Sequence, residues 1–322
     1  MSEPRHRIIS ANEVRIHLVE QGEGPLVLLV HGFPESWYSW RHLLPVLADA
    51  GFRAAAMDVR GYGRSSKPAA IEAYRMMAHV ADNLGVVTAL DEETAVVVGH
   101  DWGAAIAATS ALLRPDVFRA VGLLSVAYTP PGGTRPTGVC RQMGGDEEFY
   151  INYLQQPGRA EAEIETDVRS WLFGIYLAAS GDARPAPDGG SIFTVPPGGR
   201  MRDRFVIPDT LPTWLGQADL DAYVDQFEQT GFTGGLNRYR NIDRDWEDMT
   251  IWDGRPIEVP AVFIGGEHDA ATVWGASAIT RFDQTLPALW GSHILAGCGH
   301  WTQQERPADV AELLLGFLRS LG

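Results

Sequence analysis

Six short apolar runs recur along the chain, each closed by a turn signal and most leading into a longer helix-like stretch. They are PLVLLVHG (Pro25–Gly32), FRAAAMDVRG (Phe52–Gly61), TAVVVGHD (Thr94–Asp101), AVGLLSVA (Ala120–Ala127), PAVFIGGEHD (Pro260–Asp269) and SHILAGCGH (Ser292–His300). A run that is apolar at consecutive positions has no water-facing side, which suits a strand buried on both faces of a parallel sheet. SWRHLLPVLADAG, AHVADNLGVVTAL and GAAIAATSALLRP fill the gaps as predicted helices, and PADVAELLLGFLRSL finishes the chain. Strands alternating with helices imply a parallel sheet covered on both faces. RIHLVEQG (Arg15–Gly22) instead alternates and ends on glycine, as an antiparallel edge strand at the start would.

The rhythm stops after Tyr128 and resumes near Val259. The intervening segment is mainly helical with long loops, and it is predicted to sit over the C-terminal edge of the sheet, where open α/β folds place their sites. The expected organisation is a core of residues 1–130 and 247–322 with a helical cap at 131–246. A chain of 322 residues with net charge −15 suits one large domain carrying such an insertion. The negative charge argues against nucleic acid and against anionic membranes as partners. No apolar run approaches the roughly 20 residues of a membrane span, and the first residues lack an apolar signal core. Cys140 and Cys298 lie far apart and read as buried thiols in a reducing cytoplasm. No metal is expected from the His/Cys spacing, and no cofactor from any phosphate-cradling glycine motif.

VVVGHDWGAA (Val96–Ala105) has the form of a nucleophile elbow, Gly-x-nucleophile-x-Gly between strand and helix, with Asp101 at its centre. Gly99 and Gly103 let backbone and helix pack closely there. Taken alone, Asp101 could equally be an N-cap of the helix. Its partners follow in the order of an α/β-hydrolase: Asp269 after the strand AVFIGG, then His300 after the last strand. Glu267, two residues back, is the rival acid. The loop VHGFPESW predicts the backbone N–H of Phe33 as one oxyanion donor, with that of Trp102 as the second.

An aspartate is already an anion at neutral pH and needs no base to attack. Attack on a saturated carbon gives an alkyl ester that water can cleave, whereas a serine would leave an ether there. His300 would activate that water, and Asp269 would orient and stabilise the imidazole. The electrophile is therefore an epoxide or a haloalkane.

HGFPESWYSWR, MDVRGYGRSSKP, VVGHDWGA, LNRYRNIDRDW, FIGGEHD and CGHWTQQERP together resemble the soluble epoxide hydrolases of the α/β-hydrolase superfamily, over nearly the whole chain from about residue 12. The resemblance implies a mostly parallel eight-stranded sheet flanked by helices, with an inserted mainly helical cap. It implies hydrolysis of a small epoxide to a vicinal diol, as in detoxification, by a monomer or a homodimer. In the family, two cap tyrosines hold the epoxide oxygen, and the match places them at Tyr239 and Tyr150, with Tyr153 an alternative to the latter. The chain departs from the family's frequent YFQ, reading YLQ at Tyr153–Gln155. Trp102, Phe33, Trp301 and Tyr153 are the candidate substrate-binding residues, and aromatic walls favour apolar or aromatic epoxides. A haloalkane dehalogenase using the same aspartate is the alternative activity.

Overall fold

The computed structural model describes residues 3–322. Eight strands form one sheet: β1 (Arg5–Ala11), β2 (Val14–Gln21), β3 (Leu26–Val30), β4 (Arg53–Met57), β5 (Ala95–His100), β6 (Phe118–Leu124), β7 (Ala261–Gly266) and β8 (Leu289–Leu295). Their spatial order is β1-β2-β4-β3-β5-β6-β7-β8. β2 runs antiparallel to both β1 and β4, and the remaining neighbours are parallel.

The two-residue period of a strand sorts each apolar run onto two faces. Leu26, Leu28, Val30, Val97, Leu123 and Phe263 pack with the helices Met76–Ala89 and Trp102–Leu113. Val27, Leu29, Val96, Val98, Val262 and Ile264 pack with the helices Leu43–Asp49 and Pro307–Ser320 on the opposite face. Continuous apolar runs are what a sheet covered on both faces demands.

Two expectations about the sheet edges need correction. The segment Arg15–Gly22 is not the edge: β1 lies outside β2, paired along its whole length from Arg5↔Glu20 to Ala11↔Val14. β1 escapes sequence reading because only Ile9 and Ala11 in it are buried. The last strand is not buried on both faces: it ends at Leu295 and alternates exposed and half-buried positions because it is the opposite edge. His300 therefore stands on a loop beyond β8.

Between Leu124 and Ala261 the chain adds no strand to this sheet. The insertion carries the helices Pro136–Gly144, Val168–Ala178, Gln217–Thr230, Thr233–Tyr239 and Ile242–Asp248, and a two-stranded ladder of Glu148–Phe149 with Thr194–Val195. The stretch from Asp146 to Ala178, which reads as helix-like throughout, is three helices. Tyr150–Tyr153 ends at Leu154, Gly158 at φ 81° precedes Arg159–Ile164, and Asp167 starts Val168–Ala178 by accepting a hydrogen bond from the N–H of Ser170. Helix Ile242–Asp248 runs through residue 246, so no structural break coincides with that expected boundary. The insertion is tied down by polar contacts at several points. Tyr176 donates to the carbonyl of Pro34, Arg238 to that of Tyr74, and Tyr223 to Oε1 of Gln304.

Candidate active site

Strand β5 passes directly into helix Trp102–Leu113 through Asp101, whose backbone sits at φ 53°, ψ −121°. Such a conformation costs a side-chain-bearing residue on the order of 1–3 kcal/mol and needs surroundings that over-determine it. The glycines on either side supply them. A Cβ on Gly99 would strike the carbonyl of Gly103, and one on Gly103 would strike the carbonyl of Val30. Asp101 is not merely a cap, because its carboxylate makes no bond to the helix it precedes. Its Oδ1 instead accepts the N–H of Phe33 at 2.9 Å, and its Oδ2 lies 3.6 Å from Nε2 of His300. Trp102, the other expected donor, occupies the first position of the helix, where backbone N–H groups lack intrahelical partners.

Asp269 and His300 meet at the same sheet edge. Nδ1 of His300 lies 2.9 Å from Oδ1 of Asp269. The Asp269 carboxylate is buried, and it also accepts from the N–H groups of Ala271 and Thr272 and from the hydroxyls of Thr272 and Ser125. Burial alone would raise its pKa, but His300, with Ser125 and Thr272, brings it down to about 2. Burial pulls His300 down, yet Asp269, then Asp101 and Glu35, lift it to about 9. Glu267, the rival acid, points elsewhere and accepts the N–H of Gly297.

Above this floor lies a cavity of about 320 Å³ whose lining includes Asp101, Asp269, His300, Tyr150 and Tyr239. Phe33, Trp102, Trp171 and Trp301 give it apolar walls, and Trp274 and Met143, both partly exposed, lead from it to solvent. The Tyr239 ring is held edge-on by Phe33, Trp102 and Tyr150 at centroid distances of 5.4, 5.1 and 6.2 Å. Burial, then the facing Asp101 carboxylate, push both phenols well above the ordinary tyrosine value. Both therefore present O–H groups to the cavity at any ordinary pH. Trp301 lines the cavity with its indole N–H committed to the carbonyl of Tyr176.

Tyr153 does not reach this cavity, contrary to its expected part in substrate binding. Its hydroxyl donates to Oε2 of Glu163 at 2.6 Å, and Arg159 lies over its ring. Tyr150 and Tyr153 lie one helical turn apart, and the bond to Glu163 with the guanidinium of Arg159 over the ring holds the second phenol in the interior of the insertion.

His100 packs behind the elbow, as its place before Asp101 suggests, on a buried partner that sequence reading missed. Glu35 accepts from His100 at 2.6 Å and from the side-chain amides of Gln303 and Gln304. The other ring nitrogen of His100 lies 2.8 Å from the carbonyl of His300. Ser125 was missed as well. Its position directly after a core strand, level with Asp101, was the available signal.

A family model described as the alpha/beta hydrolase fold matches residues 25–137. Epoxide hydrolase B of Mycobacterium tuberculosis is 42% identical, with 98% of each chain covered. Epoxide hydrolase 3 of Siraitia grosvenorii is 36% identical, with 99% of each covered. The solved structure of an epoxide hydrolase from an endophytic Streptomyces superposes with a TM-score of 0.97 at 63% identity, covering 99% of this chain and 96% of that one.

Proposed function

Because this chain belongs to the epoxide hydrolases of the α/β-hydrolase superfamily, we propose that it opens epoxides through a covalent ester on Asp101. Oδ2 of Asp101 attacks a ring carbon, the carbon–oxygen bond of the epoxide breaks, and the departing oxygen takes a proton supplied through Tyr150 and Tyr239. The observation that carries this reading is the facing arrangement of one carboxylate and two protonated phenols across a single apolar cavity. An alkoxide is a poor leaving group and needs such donors, whereas a halide does not. That favours an epoxide over a haloalkane.

Charge bookkeeping links the two half-reactions. Esterification neutralises Asp101, which removes a charge that had been raising the pKa values of His300 and of both phenols. The phenols become better acids as the alkoxide forms, and His300 becomes able to lose its proton and act as a base. Water then adds to Cγ of the ester, giving its proton to Nε2 of His300. The negative charge collects on Oδ1, already held by the N–H of Phe33 and within the proposed reach of the Trp102 N–H. Collapse of that intermediate breaks the bond between Cγ and the ester oxygen. The diol leaves with a proton from His300, and the second hydrogen of the water, left on the Asp101 carboxyl, passes back to replace the proton given up at the phenols, so that the carboxylate and both phenols are regenerated.

The insertion, residues 131–246 together with the rest of helix Ile242–Asp248, acts as the cap that delivers the phenols. The cavity walls select apolar or aromatic epoxides. Diol formation from styrene oxide, lost in Asp101→Asn, tests the assignment. Halide release from bromoalkanes that survives Tyr150→Phe and Tyr239→Phe would instead identify a dehalogenase.

A further inference from the structure

Ser125 lies immediately after β6, and it is fully buried. Its φ of 72° belongs to the left-handed region that glycine enters freely and other residues enter under strain. Its N–H donates to the carbonyl of Ile264, and its own carbonyl accepts from the hydroxyl of Thr272. The backbone is thus fixed in a conformation that suits glycine, yet a hydroxyl stands there. Strain of this kind calls for a role for the side chain.

The hydroxyl has one proton to give. Its Oγ is 2.5 Å from Oδ2 of Asp269, and a carboxylate can only accept, so the proton is committed there. Toward Nδ1 of His300, 2.8 Å away, the same oxygen can then only accept. Oδ1 of Asp269, 2.9 Å from that nitrogen, can only accept as well. Nδ1 faces two acceptors and must carry the ring proton. In a neutral imidazole the lone pair is then left on Nε2, the nitrogen that faces Asp101.

We infer that Ser125 is a positioning residue that locks His300 in the tautomer able to accept a proton at Nε2, and so serves the ester-cleaving half of the reaction alone. The inference rests on the ester reading given above. In that half, Nε2 takes the proton of the water as its oxygen bonds to Cγ of Asp101, and a histidine protonated at Nε2 instead cannot do so. Around His300 the groups able to titrate are Asp269, Asp101, Glu35, Glu305 and the ring of His100, with Tyr150 and Tyr239 across the cavity. Substitution of Ser125 leaves all of these in place.

Ser125→Gly removes the hydroxyl while suiting the backbone, so the variant should melt no lower than wild type. Ser125→Ala removes the hydroxyl and keeps the strain. Rapid-quench single turnovers with styrene oxide resolve ester formation from ester decay. Formation should stay within about twofold of wild type in both variants, and decay on the alkaline plateau should fall about tenfold, the worth of one strong hydrogen bond. At low pH the decay rates should converge with wild type. There the reactive form is reached by removing the Nε2 proton from the cation, and a competing tautomer does not alter that equilibrium. Decay in Ser125→Gly as fast as wild type on the plateau, a deficit of equal size at every pH, or equal slowing of formation would overturn the inference. A wild-type single turnover in H₂¹⁸O that puts the label only in the diol would overturn the parent reading, and this inference with it.

Discussion

Asp101, Asp269 and His300 follow the C-terminal ends of β5, β7 and β8, whereas Tyr150 and Tyr239 belong to two helices of the insertion. The floor is held by hydrogen bonds: Asp269 alone accepts from two backbone N–H groups, two hydroxyls and an imidazole. The roof is held by packing, with Tyr239 wedged edge-on among three aromatic rings. The contrast teaches a division of labour. On the proposed mechanism, the groups that change charge stand at the sheet edge, and the groups that hold the departing oxygen stand on the insertion.

If that division is right, breaking the floor should cost more than breaking the roof. Asp101→Asn removes the anionic nucleophile, and diol formation should fall by at least about 10⁴-fold, measured after freshly purifying the protein to limit deamidation. His300→Gln should lower turnover by about 10³-fold while still allowing ring opening, so that intact-protein mass spectrometry finds the ester accumulated. The same step gives wild type its pH dependence. His300 starts from a pKa of about 9 and must be neutral to act as a base. Ester decay should therefore rise with pH to a plateau, and the midpoint should lie below 9 because esterified Asp101 no longer raises the histidine. At the roof, Tyr150→Phe or Tyr239→Phe should slow ring opening by about 10–100-fold each, with ester decay nearly unchanged. Smallest of all, Tyr153→Phe should leave kcat/KM within about threefold and lower stability by about 1 kcal/mol through the lost bond to Glu163.

The same contrast explains what could be read from the sequence. Strand ends are legible because a buried parallel strand announces itself by a continuous apolar run, and the residue after it must emerge at one edge. Asp101, Asp269 and His300 follow from that rule, whereas β1 and the edge position of β8 do not, since edge strands alternate like ordinary surface. The phenols do not follow from any period. Tyr150 and Tyr153 lie one helical turn apart, and only the packing of Tyr153 against Glu163 and Arg159 separates the cavity residue from the buried one. Glu35 and Ser125 were hidden for another reason: each pairs with side chains distant in the chain, and pairing of that kind is set by the assembled sheet.

The most direct test is a single turnover in H₂¹⁸O, with enzyme in excess over styrene oxide, followed by mass analysis of the peptide that contains Asp101. Water attacking Cγ leaves its oxygen in the regenerated carboxylate, so the label should appear in that peptide and be nearly absent from the diol. Label confined to the diol would mean that water attacked the epoxide itself, and Asp101 would never have been bonded to substrate.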